Sequence, residues 1–267
     1  MDVAINNQVA STTVPSFSEI GLDESVLKRC IVNAGLVIFA APKSTFNEDA
    51  MASTIKYLLE NETFIKGTFI YIGEPEFHFH EISSSHSILM SRSAESTDGG
   101  FSQSNNSLMR RAADLMIFQN SGGSIKDVDD MLELALTGGC VFGQVAANGV
   151  TDVVDGIRKN YPDEKQYSKM WDFIEATGMI LCQRIVENNT GNRVSVWEYL
   201  KLDKEVKALL FKVLDSAEGT EGVVKAISDI VSNNEFDSQG FQVQADDLLK
   251  AGDINEIAYR ALIKADM

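Results

Sequence analysis

The chain contains three histidines, His78, His80 and His86, and all of them fall within nine residues. In an extended strand His78 and His80 point to the same face, about 7 Å apart, a spacing from which two imidazoles can reach one metal ion. Glu76 shares that face, and Glu81 or His86 can complete a ligand set. The chemistry would be that of a metal-dependent enzyme. The plainer alternative is an exposed polar face opposite Phe77, Phe79 and Ile82, because two histidines two apart have no third fixed ligand.

A second set of residues could bind anions. Lys plus Arg number 23 against 39 Asp plus Glu, a formal net charge of −16, so the mean field repels nucleic acid and anionic membranes. Any anion site must therefore be local. Six of the eight arginines lie in the middle third: Arg92, Arg110, Arg111, Arg158, Arg184 and Arg193. Arginine grips phosphate or carboxylate through two parallel hydrogen bonds. Brought together with Lys159, these side chains would make a basic groove able to follow an RNA backbone, with Phe101, Phe118 and Tyr161 nearby to stack on bases. The alternative is that each arginine pairs with a local acid.

Other chemistry is missing from the sequence. The pairs Gly122-Gly123 and Gly138-Gly139 are not followed by the Gly-Lys-Ser/Thr of a phosphate loop, and no Gly-x-Gly-x-x-Gly follows a strand pattern. Helix caps explain them better. No Gly-x-Ser-x-Gly is present, and none of Cys30, Cys140 and Cys182 has a histidine near it in sequence. The acid pairs Asp129-Asp130, Asp163-Glu164 and Asp246-Asp247 read as helix caps or polar faces. No cofactor is implied.

The three cysteines are odd in number and far apart, which fits free thiols in a reducing compartment rather than a disulfide framework. The N-terminal residues carry no cationic segment before an apolar run, so they do not read as a secretory signal. The most apolar stretch, Cys30 to Ala41, is only 12 residues long, too short to span a bilayer. A cytoplasmic location is expected, or a virion if the protein is a viral structural subunit.

The elements expected to position these residues are mostly helical. Residues 1–18 read as a flexible arm. Residues 19–82 read as an N-terminal lobe with a buried helix from Leu22 to Ala41, a second helix after a capping box at Thr45 to Glu48, and one β-hairpin near residues 63–82 that carries His78 and His80. Ten of the 25 residues from Ser83 to Ser107 are serine, so 83–107 reads as a polar loop between lobes. Residues 108–267 read as a helical lobe, with helices at Leu108 to Phe118, Ile125 to Leu136, Asp163 to Glu187 and Val194 to Leu214, then three shorter ones. The fold class expected is mainly α: a multi-helix globular protein of one domain or two lobes.

With no catalytic constellation and many connected helices, the sequence is read as more an assembly protein than an enzyme. It would be a self-assembling structural or scaffolding homo-oligomer, in its sharpest form a capsid or nucleocapsid-like subunit whose arginine-bearing middle faces RNA. The alternatives are a metal-dependent enzyme centred on His78 and His80, and an acidic adaptor that binds other proteins.

Overall fold

The structure is a computed structural model that describes residues 13–31, 34–43, 48–61, 65–73, 77, 79, 82, 84–92, 113–119 and 125–263. The chain alternates helices and strands: α1 (Glu24–Cys30), β1 (Gly35–Ala41), α2 (Asp49–Glu60), β2 (Gly67–Ile72), β3 (Ser87–Arg92), β4 (Leu115–Phe118), α3 (Ile125–Leu136), β5 (Cys140–Ala146), α4 (Val150–Lys159), α5 (Asp163–Ala176), β6 (Thr177–Glu187), β7 (Arg193–Lys201), α6 (Lys204–Leu214), α7 (Gly219–Asn233), β8 (Ser238–Gln239), α8 (Phe241–Ala251) and α9 (Glu256–Ile263). The strands form one eight-stranded sheet in the order β3-β2-β4-β5-β1-β6-β7-β8. The first six strands in that order run parallel, whereas β7 and β8 are antiparallel to their neighbours.

The mainly α expectation is therefore wrong: the chain is α/β, and most of the error has one physical cause. A parallel strand covered by helices on both faces loses the alternation that marks a half-exposed strand and reads as an unbroken apolar run. All seven residues of β1 are buried. The stretch from Leu22 to Ala41 is accordingly not one helix but α1 followed by β1. The two meet near Gly35, whose φ of +110° suits glycine and where a Cβ would come within 2.9 Å of the Ala176 carbonyl oxygen. The same loss of alternation hid β6 behind α5 and β4 within Leu108 to Phe118, whereas the antiparallel β7 ran together with α6 because no Gly or Pro stands close before Lys204.

The hairpin is corrected as well. Strand β2 falls inside the expected 63–82 segment, but its partners are β3 and β4, both parallel to it. The alternation of Phe77 and Phe79 reflects burial rather than strand pairing: both rings enter the core on one face of the sheet, and Phe79 sits in a tight turn whose carbonyl accepts from the Ile82 amide.

Along the strands, successive side chains feed two cores. Leu36, Ile38 and Ala40 of β1 join Ile180 and Cys182 of β6 under α3 to α7. Val37 and Phe39 join Met179, Leu181 and Trp197 under α1, α2 and the segment that holds Val14, Ile20 and Leu22. Trp197 Nε1 donates to the Ile20 carbonyl at 3.3 Å, which ties that segment to β7.

Candidate functional site

In open α/β sheets ligands bind beyond the carboxyl ends of the strands, where successive connections leave to opposite sides. Here β1 leads through α2 to β2 on one side, and β5 leads through α4 and α5 to β6 on the other. The crevice thus opens at the end of β1, over the loop that joins it to α2. A strand–loop–helix unit in this position is where a phosphate loop belongs, because glycines let the backbone amides close around phosphate at the positive end of the helix.

The residues that follow β1 in the sequence are of another kind, and those numbered 44–47 lie outside the described residues. Between Ala41 and Asp49 the sequence is Pro42-Lys43-Ser44-Thr45-Phe46-Asn47-Glu48, with no glycine and no Gly-Lys-Ser/Thr. Thr45 lies outside the described residues. Glu48 precedes the first turn of α2 and makes no side-chain cap, so the expected capping box does not open this helix. Its carboxylate is turned inward instead, where it is buried. It accepts a hydrogen bond of 2.6 Å from Tyr71 Oη at the end of β2, and another from Gln119 Nε2 just past β4. Asp49 follows, its carboxyl pushed above the usual range by burial, with Arg193 opposing the shift. Gln144 of β5 and Gln183 of β6 continue this polar strip inside the sheet, and Gln183 Nε2 donates to Ser195 Oγ at 2.9 Å. The space between Phe39, Met51, Gln144, Gln183 and Trp197 is a cavity of about 10 Å³, room for about one water.

A triphosphate does not fit these residues. The amide cradle needs glycines the loop lacks, and the first side chain at the helix opening is a buried acid that accepts hydrogen bonds from Tyr71 and Gln119.

The residues singled out in the sequence are dispersed. His78, His80, Arg110 and Arg111 lie outside the described residues, and Arg92 ends the edge strand β3. His86 is engaged through both ring nitrogens, with Leu58 O at 3.3 Å and Ser84 Oγ at 3.5 Å. Among the described residues no three His, Cys, Asp or Glu side chains come together as a metal ion requires. Arg158 and Lys159 both pair with Asp155 at the end of α4, at 2.9 and 2.5 Å. Burial pushes the Asp155 carboxyl up, but the hydrogen bonds from Lys159 and Arg158 outweigh it and hold the group below its ordinary value. Arg184 is buried on β6. Its Nε donates to Asn148 O at 2.8 Å, its Nη1 to Leu262 O, and its guanidinium lies 4.1 Å from the Phe241 ring centre.

Arg184 and Glu198 border a cavity of about 390 Å³ with Phe241 and Asp246, on the far side of β6 from the β1–α2 crevice. Sequence reasoning found Arg184 but missed Glu48, Tyr71 and Gln119. Their signal was available: an apolar strand, a seven-residue loop and an amphipathic helix in succession.

No family model matches the chain. The type IV pilus ATPase PilU of Pseudomonas aeruginosa is 24% identical over 180 residues, which cover 67% of this chain and 46% of that protein. The chain thus spans about half the length of the curated relative it matches. Among solved structures, the ATPase DotB of Yersinia pseudotuberculosis superposes with a TM-score of 0.84 at 24% identity, covering 94% of this chain and 63% of DotB. DotB of Legionella pneumophila gives 0.84 at 21% identity over 96% of this chain and 68% of its own. The pilus retraction motor PilT with bound ADP gives 0.77 at 22% identity, over 93% and 67%.

These likenesses overturn the expectation of a structural scaffold or of a capsid or nucleocapsid-like subunit facing RNA in a virion. They also remove the ground for reading the chain as more an assembly protein than an enzyme, because the folds it shares are those of proteins described as ATPases and as a motor. The metal-dependent enzyme and the acidic adaptor are set aside on the same ground. Over 93–96% of its length the chain shares the fold of the ATPase DotB and the pilus retraction motor PilT.

Proposed function

We propose that the chain is a subunit of an ATP-driven secretion or pilus-type motor, working as a homo-oligomer or in a mixed oligomer on the cytoplasmic side of a membrane. The observation that supports this most is the superposition of 94% of the chain on the ATPase DotB, with a TM-score of 0.84. A likeness that extends from the N-terminal helices to the last ones covers the whole sheet with its two layers, not one recurrent βαβ unit. No helix among the described residues is long and apolar enough to cross a membrane, so contact with a membrane machine would run through protein partners.

The chain's own contribution, on this reading, is mechanical and positional. Glu48, Tyr71, Gln119 and Gln144 would brace the sheet beside the start of α2. The experiment is size-exclusion chromatography with light scattering at tens of micromolar protein, with electron microscopy of the main peak. A closed ring is expected. A strict monomer across that range, with and without magnesium ATP, would contradict the motor reading.

A further inference from the structure

We infer that the β1–α2 crevice of this chain is filled by its own Glu48 carboxylate and does not take a magnesium nucleoside triphosphate. ATP turnover in its assembly then comes from a partner subunit of the same fold whose loop keeps Gly-Lys-Ser/Thr. The inference rests on the motor reading above for the partner, but on this chain's residues alone for the crevice.

Three observations carry it. The loop that would wrap phosphate, residues 42–48, has no glycine and no lysine next to the helix; its one lysine, Lys43, stands at the opposite end and is exposed. The side chain at the mouth of α2 is an acid, and so is the next. The helix therefore presents Glu48 and Asp49 where an anion would have to dock. Finally, Glu48 is not a mobile surface acid: it is buried and held by Tyr71 of β2 and by Gln119 just past β4. A phosphate placed there would lose its hydration and meet acid side chains in place of the amide donors that a phosphate loop supplies. Moving Glu48 aside would break its 2.6 Å hydrogen bond from the buried Tyr71 hydroxyl, so the carboxyl has reason to stay.

The test uses the full chain and magnesium ATP. Equilibrium titration with a fluorescent ATP analogue is expected to show no saturable binding up to millimolar concentration, and the thermal midpoint is expected not to move with ATP. Saturable binding in the micromolar range, or a rise of several degrees at millimolar ATP, overturns the inference. A Tyr71→Phe variant removes one of the two donors to Glu48 while leaving the backbone alone. It is expected to lower the midpoint by several degrees and to leave the titration flat. A midpoint equal to that of the parent protein would show that Glu48 does not depend on this contact to fill the crevice, and would overturn the inference too. Light scattering keeps the two readings apart: ATP binding by a ring sinks this inference and leaves the motor reading standing, whereas a monomer that binds no ATP sinks the motor reading and the ATP-turning partner with it, and leaves the filled crevice standing.

Discussion

Glu198 of β7 accepts a hydrogen bond of 2.6 Å from the backbone amide of Val150, the first residue of α4. The contact fastens the start of a helix to a strand 48 residues further along the chain. It works because Gly149, just before the helix, leaves room: a Cβ there would come within 2.8 Å of Glu198 Oε1. The free amides at a helix start must be satisfied, and here a strand side chain satisfies one instead of a local cap.

Glu198→Ala is accordingly expected to destabilise the protein by about 1–2 kcal/mol, the usual cost of losing a cap. Gly149→Ala acts on the same contact through a steric clash. The double variant should therefore cost less than the two single changes together, which urea denaturation of all three would reveal.

Arg184 joins three segments at once, through Asn148 O, Leu262 O and the face of Phe241. Arg184→Ala is expected to cost about 2–4 kcal/mol. Arg184→Lys should rescue little of it, because an ammonium group has neither the fork of donors nor the flat face. Hydrogen exchange should show α9 losing protection first. Full rescue by lysine would mean that charge, not shape, matters at this position.

The cysteines lend themselves to a chemical test. Burial pushes the thiols of Cys30 and Cys140 up to about 12, and Cys182 is buried as well. Since the thiolate is the reactive form, alkylation of Cys30 and Cys140 in the folded protein should be slower than that of an exposed cysteine by on the order of a thousandfold. All three should react promptly in denaturant. The sign of the linkage follows: these two groups contribute stability that is complete below the unfolded thiol value of about 8.5, and that is lost as pH rises from there towards 12.

Thr177 begins β6 with no surface exposed, and its hydroxyl finds no hydrogen-bond partner among the described residues. Thr177→Val replaces the unsatisfied hydroxyl by a methyl of similar shape. It is expected to raise stability by about 1 kcal/mol, since the cost of burying an unpaired polar group disappears. A clear loss of stability in thermal unfolding would show that the hydroxyl is bonded after all, for instance to a buried water.

What could be read from the sequence follows the exposure of each element. The helix Ile125 to Leu136 was legible to the residue, because one of its faces meets solvent and leaves the 3.6-residue period visible. Met51, Ile55, Leu58 and Leu59 marked α2 for the same reason. Strands β1, β4 and β5 were not legible, since burial on both faces removes the alternation. Nor does Gly or Pro separate Ala176 from Thr177 or stand close before Lys204, so helix and strand run together in the sequence. The site was missed as a consequence. The strand–loop–helix unit after β1 is hidden because β1 reads as helix in the sequence, and the glycine pairs stand out instead. The histidines and arginines drew attention by type, but type alone could not tell that Arg184 would be buried as a structural tie while Glu48, an ordinary acid in the sequence, would close the crevice.

The junction between α5 and β6 carries a last consequence. Helix gives way to strand between Ala176 and Thr177 with no intervening loop, so there is no slack in the chain at that point. A rotation of α5 about its axis cannot be absorbed locally and must pass to the pairing of β6 with β1 on one side and β7 on the other. The helix is thus coupled to the sheet as a welded lever and not as a hinged one. The end of α5 and the start of β6 should open to hydrogen exchange together, as a single cooperative unit.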